Sequence, residues 1–371
     1  MTNRTASVNR ALEHRLDRRT FIKVAGALGG AAIMGLAGCQ GPSAAPPSAT
    51  SAPGSGTPKP APFKAAIGAV DFLTISFYIP YFVSEAKGYF AEEGLQHETV
   101  NFATAGDMQR AIESGECHYA MTSASSAANA ILKGAPSVIV GGVNAAAGAA
   151  CYLVPPESPI KSLKDIKGKK LGFPSPGGYT HNFTIELVRK AGYTLDEVKL
   201  VSVGGSAEAW AATLSGAVDA GWAGSAMCAK MVMEGKARVP FTDLDAFPVW
   251  QGQVFTTSKK FVSEHGDVLR RFLRAYQKGC EFVWANPDET LKIWTSHPQA
   301  QFSLEVAKKT MEMFPMPLKT FTAQLSGPGL RANEPSLVTL GVIKEGEKLD
   351  WNKVIDQSFL REDLRIDLSK I

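Results

Sequence analysis

The chain has 371 residues, 45% hydrophobic and 20% charged, which excludes a disordered or fibrous protein and suffices for two or three globular lobes. Its formal charge of +4 resides in residues 1–38, where six Lys/Arg stand against two Asp/Glu; removing them from the totals of 39 and 35 leaves 33 of each sign. A body with no net charge and no long basic run lacks the electrostatic footprint of a nucleic-acid binder.

Basic residues from Arg4 to Lys23 precede Val24–Gly38, an uncharged stretch of 15 residues containing five glycines. It is too short to span a bilayer as a helix, which takes about 20 apolar residues. Asp17-Arg18-Arg19-Thr20-Phe21-Ile22-Lys23 resembles a twin-arginine export motif, and Leu36-Ala37-Gly38-Cys39 resembles a lipobox with Cys39 as the lipidated residue. Residues 1–38 are therefore expected to form a signal peptide; the alternative is an ordinary N-terminal amphipathic helix. Gln40–Pro62 holds seven Pro, five Ala, four Ser and three Gly among 23 residues. Such a segment cannot bury enough apolar surface to fold, so 39–62 reads as a disordered tether. A lipid anchor and a tether place the folded body outside the cytoplasm, in the periplasm or on the envelope exterior, beside a membrane.

Four cysteines follow Cys39: Cys117, Cys151, Cys228 and Cys280. An oxidising compartment allows up to two bridges, but each lies in an apolar pattern, and buried thiols are the favoured reading. No Cys-x-x-Cys pair or close His pair supplies metal-ligand spacing, and no dinucleotide or phosphate-loop glycine pattern occurs. Neither metal nor cofactor is expected.

From Lys64 to Lys260 strand-like and helix-like runs alternate, the pattern of an α/β protein with largely parallel sheets. The first predicted strand, Ala65–Val70, opens into the loop Asp71–Tyr78, and Thr99–Phe102 is the next. Ala111 to Met121, with Ser114-Gly115 at its centre, recurs 101 residues later as Ala212 to Trp222 with Ser215-Gly216; Gly134 maps onto Gly235. Each copy predicts a helix ending at Ser-Gly, a short strand, a small-residue turn and a second helix ending at glycine. The turns are Thr122–Ser126 and Ala223–Ser225, whose hydroxyls can cap a helix or contact a ligand. The second copy is preceded by the strand Lys170–Phe173 and the loop Pro174–His181, whose paired glycines allow close backbone approach, and then by the strand Lys199–Val203. Val254–Thr257 reads as a returning strand. Leu269, Phe272, Leu273, Tyr276, Cys280 and Val283 then form one helical stripe with Asp267 as its cap, and helices are expected over 304–314, 336–347 and part of 352–361. This C-terminal region is expected on the outside of the first lobe.

Pro80–Leu95, the Ala-x-x-Ser-Gly elements at 111 and 212, Gly134-Ala135-Pro136 and Ser162–Gly172 resemble the solute-binding proteins of ABC importers, in the branch that includes nitrate, taurine, alkanesulfonate and thiamine-pyrimidine binders. The resemblance runs from about Ala65 to Trp351. It implies an α/β, two-lobe periplasmic-binding-protein fold of type II, with a ligand cleft between the lobes and crossings near Tyr152–Pro156 and Val249–Gln253. Lobe I is then 63–153 plus 254–371, and lobe II 154–253. The implied partners are a small-molecule solute, an ABC permease with its ATPase subunits and, through the lipid anchor, a membrane. The protein is expected to act as a monomer and not as an enzyme.

Carried over by position, the pocket candidates are Asp71, Phe72, Ser76 and Tyr78 in the first loop and Thr122, Ser123 and Ser125 in the first internal turn. The second lobe adds Ser175, Gly177, Gly178, Tyr179, Thr180 and Trp222, and the crossover adds Trp250. Hydroxyls and helix ends suit a sulfonate or carboxylate, while Tyr and Trp faces suit a flat body. These loops contain no Arg or Lys for a small inorganic anion. Asp71 can pair with an amine or serve as a solvated cap. A sulfonate or taurine-like solute is the first expectation and a thiamine-pyrimidine-like compound the alternative. The rival readings are a pyrimidine-synthase-type enzyme, for which His181 is the one histidine in a candidate loop, and a sensory subunit.

Overall fold

A computed structural model describes residues 60–70, 75–102, 104–247, 249–298, 300 and 302–371. Residues 1–59, which hold Arg18, Arg19 and Cys39 of the expected signal peptide and lipid anchor and nearly all of the expected tether, and the pocket candidates Asp71 and Phe72 lie outside the described residues.

β1 (Phe63–Val70) buries Ala65, Ile67 and Ala69, while Gly68 lies so close to Phe102, Met108 and Cys117 that a Cβ would collide with them. α1 (Ile79–Ala86), started by Pro80, and α2 (Tyr89–Glu92) lead to β2 (Leu95–Phe102), paired in parallel with β1. α3 (Ala105–Ser114) is capped by Thr104, whose hydroxyl accepts from the Asp107 N–H at 3.1 Å. β3 (Tyr119–Ser123) passes directly into α4 (Ala124–Leu132), and β4 (Ser137–Asn144) follows. β5 (Ala150–Leu153), β6 (Lys170–Phe173), α5 (Tyr179–Lys190) and β7 (Lys199–Ser202) begin a second sheet. α6 (Ser206–Leu214), β8 (Ala220–Gly224), α7 (Ser225–Met233) and the single turn α8 (Asp243–Ala246) complete it. The chain returns through β9 (Gln253–Ser258) into α9 (Lys259–Ala285), α10 (Pro287–Ser296), α11 (Leu304–Met313), α12 (Gly327–Arg331) and α13 (Glu334–Thr339).

The repeat is retained at the level of elements. β3 and α4 recur 101 residues later as β8 and α7 with identical lengths, and α3 and α6 both end where a glycine turns left-handed, Gly115 at φ 81° and Gly216 at φ 76°. A side chain would strain that conformation, so Ser-Gly stops both helices.

The first sheet has the order β2-β1-β3-β9-β4 and the second β5-β8-β6-β7. β9 is antiparallel to β3 and β4, and β5 is antiparallel to β8. The chain thus passes between sheets over 145–149, ahead of the expected crossing at Tyr152–Pro156, because Ala150–Leu153 pairs with β8. The return to the first sheet is made before β9. Separate apolar clusters back the two sheets: Tyr119, Phe255, Phe272 and Tyr276 for the first, and Tyr152, Leu171, Phe183 and Trp222 for the second.

Several expectations are corrected. Cys151 and Cys228 form a disulfide between β5 and α7, inside an apolar cluster; Cys117 and Cys280 are the buried thiols foreseen for all four. β5 and β8 are neighbours, and α7 folds back over them, so two apolar positions 77 residues apart meet. The six residues of the α9 stripe are buried, but the cap is Ser258, which accepts from the Phe261 N–H at 3.1 Å; the helix starts well before Asp267 and kinks at His265. Asp267 instead pairs with Arg271 at 3.0 Å. The helix expected over 336–347 ends at Thr339, before Gly341 at φ 67°, and 352–361 holds only the end of a short 3-10 turn at Trp351–Lys353. The C-terminal region also touches the second sheet's helices: Arg189 of α5 donates to Thr339 Oγ1 at 2.8 Å. Among the described residues, no helix is long and apolar enough to cross a membrane.

Candidate functional site

Where the two sheets face each other, loops from the carboxyl ends of parallel strands meet, as open α/β sheets dictate. They enclose a cavity of about 60 Å³. Tyr78 lines it from the turn after β1, Thr122 and Ser123 from the end of β3, Ser175, Gly178, Tyr179 and Thr180 from the β6–α5 connection, and Trp222 from β8. Of the sequence candidates, these eight share one wall or another of a single space. A second cavity of about 290 Å³ adjoins it through Ala105, Met108, Thr122 and Ser126 and reaches Gly177.

Ser76, Ser125 and Trp250 are not on the cavity surface. Ser76 donates to the Gly148 carbonyl at 3.2 Å and accepts from Ser225 Oγ at 3.2 Å. Ser125 Oγ accepts from Asn182 Nδ2. Trp250 donates its indole N–H to Asn333 Oδ1 at 2.9 Å and stacks behind Tyr179, with ring centroids 4.6 Å apart and planes 28° apart. Ser123 is used as a cap, its hydroxyl accepting from the Ser126 N–H at 3.1 Å. His181 accepts from the Gly177 N–H at 3.1 Å and faces Phe173, and burial lowers its pKa, which favours the neutral ring.

Phe77, Met108, Met121 and Gln253 line the cavity without having been singled out from the sequence, and Ser126, the last hydroxyl of the first internal turn, lines it as well. One signal was available for Met121: it is the repeat counterpart of Trp222, and both point into the same space. Gln253 is the first residue of the returning strand; its amide is almost fully buried, and its Oε1 has no hydrogen-bond partner among the described residues.

Among the described lining residues of the first cavity none is charged, and the walls are aromatic and thioether faces interrupted by hydroxyls and one amide. The nearest buried charge lies one layer back. Asp243, fully buried at the start of α8, accepts through Oδ2 from Tyr179 Oη at 2.5 Å and from the backbone N–H groups of Gly148, Ala149 and Ala150 at 3.0, 2.9 and 3.2 Å. Burial pushes its carboxyl above the usual range, while those four donors pull it down. Burial, with Asp243 alongside, also raises Tyr179 well above an ordinary phenol, so Tyr179 is the donor. Among the described residues no group of three or more His, Cys, Asp or Glu could hold a metal ion.

Residues 76–290, more than half of the chain, match the family model described as NMT1/THI5 like. Over 241 residues the chain is 30% identical to a formylaminopyrimidine-binding protein of Halalkalibacterium halodurans, covering 62% of this chain and 71% of that protein. Among solved structures, it is similar to the alkanesulfonate-binding protein SsuA from Xanthomonas axonopodis pv. citri bound to MOPS: TM-score 0.63, 17% identity, 76% of this chain and 94% of that one. The desulfurization enzyme DSZB aligns with a TM-score of 0.57 at 13% identity, over 80% of this chain and 97% of that one. At such identities the two structures share the fold, that of the periplasmic binding proteins, with this chain.

Proposed function

The chain belongs to the NMT1/THI5 like family, and we propose that it is the extracytoplasmic solute-binding protein of an ABC importer, selective for a small, neutral, pyrimidine-like heteroaromatic compound. The two sheets act as the cores of two lobes, residues 63–144 with β9 and much of the C-terminal region, and residues 150–247. Closing them over the solute shifts a population of open molecules to a closed one that a permease recognises. In this reading Cys39 carries the lipid, the Pro/Ala/Ser tether lets the body reach the membrane partner, and the protein works as a monomer.

The observation that carries the solute class is Gln253. A buried amide oxygen without a partner loses free energy unless a ligand N–H reaches it. Around it, Tyr179 and Trp222 offer faces for a flat ring, and no charge among the described lining residues of the first cavity calls for an ionised solute. The formylaminopyrimidine-binding relative supports the same class. The sulfonate reading rests on one feature: α5 starts at Gly178 without a side-chain cap, and Gly178, Tyr179 and Thr180 line the cavity, so the helix N-terminus can meet an anion. Among the described lining residues of the first cavity there is no Asp, Glu, His, Lys, Arg or Cys, and burial raises the Tyr179 phenol well above its ordinary value, which supports capture rather than acid–base turnover.

Thermal-shift screening of the purified protein with aminopyrimidines, taurine and alkanesulfonates separates these readings. A ligand at 100 times its dissociation constant adds about 2.7 kcal/mol of stability. Stabilisation by aminopyrimidines and not by sulfonates is expected; the reverse order would transfer the assignment to the helix N-terminus, and consumption of the compound would make the protein an enzyme.

A further inference from the structure

Three consecutive backbone N–H groups, those of Gly148, Ala149 and Ala150, converge on one oxygen of Asp243. An extended chain points successive N–H groups to opposite sides. Gly148, at φ 120°, bends the chain so that they form a concave, partly positive nest. This nest lies in the first passage between the sheets. The same carboxylate oxygen receives the Tyr179 hydroxyl at 2.5 Å, and the Tyr179 ring meets Phe77, at 5.2 Å in an edge contact, and stacks on Trp250 of the return passage. One buried oxygen therefore ties together a cavity wall, the outgoing passage and, through the stacked rings, the returning one.

We propose that Asp243 is a positioning residue of the ligand site: it does not line the cavity but holds the Tyr179 ring and residues 148–150 in one arrangement, coupling the cavity wall to the crossover. The proposal rests on the reading of this cavity as the ligand site. Ala149 and Ala150 line the cavity beside Tyr179, so three of the four groups bound to Asp243 form its surface. Among the described residues no Lys or Arg is paired with the carboxylate, which leaves the hydrogen bonds as its compensation.

The test is a cycle of Asp243→Asn, Tyr179→Phe and the double variant, each followed by affinity for an aminopyrimidine probe and by amide hydrogen exchange of residues 148–150. Asp243→Asn is expected to weaken binding about tenfold, and Tyr179→Phe several-fold. The double variant should be no weaker than Asp243→Asn, because both act through one bond. Exchange at 148–150 should quicken in Asp243→Asn even without ligand. Additive losses, or unchanged affinity in Tyr179→Phe, would overturn the coupling, and Tyr179→Phe retains that power should Asp243→Asn not fold. If the native protein binds no aminopyrimidine, the solute reading fails instead; exchange at 148–150 then decides the present one, and unchanged protection in Asp243→Asn sinks it.

Discussion

Ser126 donates its hydroxyl to the Gly177 carbonyl at 2.5 Å, joining the first turn of α4 to the loop that precedes α5. α4 flanks the first sheet and α5 the second. Asn182 of α5 reaches back to Ser125, so two helix starts are clasped across the mouth of the two cavities. On the proposed lobe closure, removing the Ser126 hydroxyl removes a bond that holds the closed arrangement. Ser126→Ala is expected to weaken solute affinity by about 1 kcal/mol, roughly fivefold, with little change in the melting temperature of the unliganded protein. Calorimetric titration reads the first and a thermal melt the second; an unchanged dissociation constant would mean that the clasp contributes nothing to closure.

Gln253→Leu should separate stability from binding. Its Oε1 has no partner among the described residues, so replacing the amide with an apolar group of similar size leaves the fold as stable as before or more so. Affinity for an aminopyrimidine should fall tenfold or more, since a buried ligand N–H then loses its acceptor. Equal binding by the variant would remove Gln253 from the site.

The Cys151–Cys228 bridge closes a loop across 77 residues of sequence, and its loss should cost about 2–4 kcal/mol. Reductant, or the double alanine variant, is expected to lower the melting temperature by several degrees. Cys117 and Cys280 should resist maleimide until the protein unfolds, because burial raises both thiols, Cys117 to about 12. Mass spectrometry of the native, unreduced protein checks both: rapid native labelling of either thiol, or a reduced Cys151, contradicts the expectation.

Glu93 receives two hydrogen bonds from Arg274, from Nε at 2.7 Å and Nη2 at 2.6 Å, which hold its carboxyl below the usual range. Because the folded pKa is the lower one, the pair's stabilisation is present above the ordinary glutamate value of about 4.3 and disappears as pH falls through the folded pKa. Arg274 is nearly half exposed, so the contribution is about 1 kcal/mol. Glu93→Gln should melt lower at pH 7 and match the native protein more closely near pH 3. A constant gap across that range would contradict the linkage.

The aromatic anchors offer the most direct check on the cavity itself. Tyr179→Ala and Trp222→Ala each remove a face against which a flat solute would rest, and each should cost at least tenfold in affinity. Retained affinity in both would show that the solute binds elsewhere.

Much of this architecture is carried by short-range pattern. Ser114-Gly115 and Ser215-Gly216 stop their helices because glycine alone turns left-handed without strain, and that rule acts within a few residues of chain. The repeat of β3–α4 in β8–α7, the strand Lys170–Phe173 and the return at Val254–Thr257 are legible for the same reason: alternation and punctuation are local. Described residues from several strand-end loops lie around one space, since sheet topology sends such loops there. Local pattern misled where a segment's end depends on its neighbours, as at Ser258, which caps α9 in place of Asp267.

What a hydroxyl, a thiol or an acid does was decided by its surroundings in three dimensions. Ser76, Ser125 and Trp250 sit on the right loops but turn away to Gly148, Asn182 and Asn333, because buried donors and acceptors must find partners. Cys151 and Cys228 meet because α7 packs over β5. Asp245 closes a capping box with Thr242, a pattern local to the turn, whereas Asp243 carries no local mark of its role, yet it faces three curled amides and a phenol. Alternation along a chain reports which side is apolar; only packing determines which distant polar groups arrive within hydrogen-bonding distance, and the candidate site is built from those arrivals.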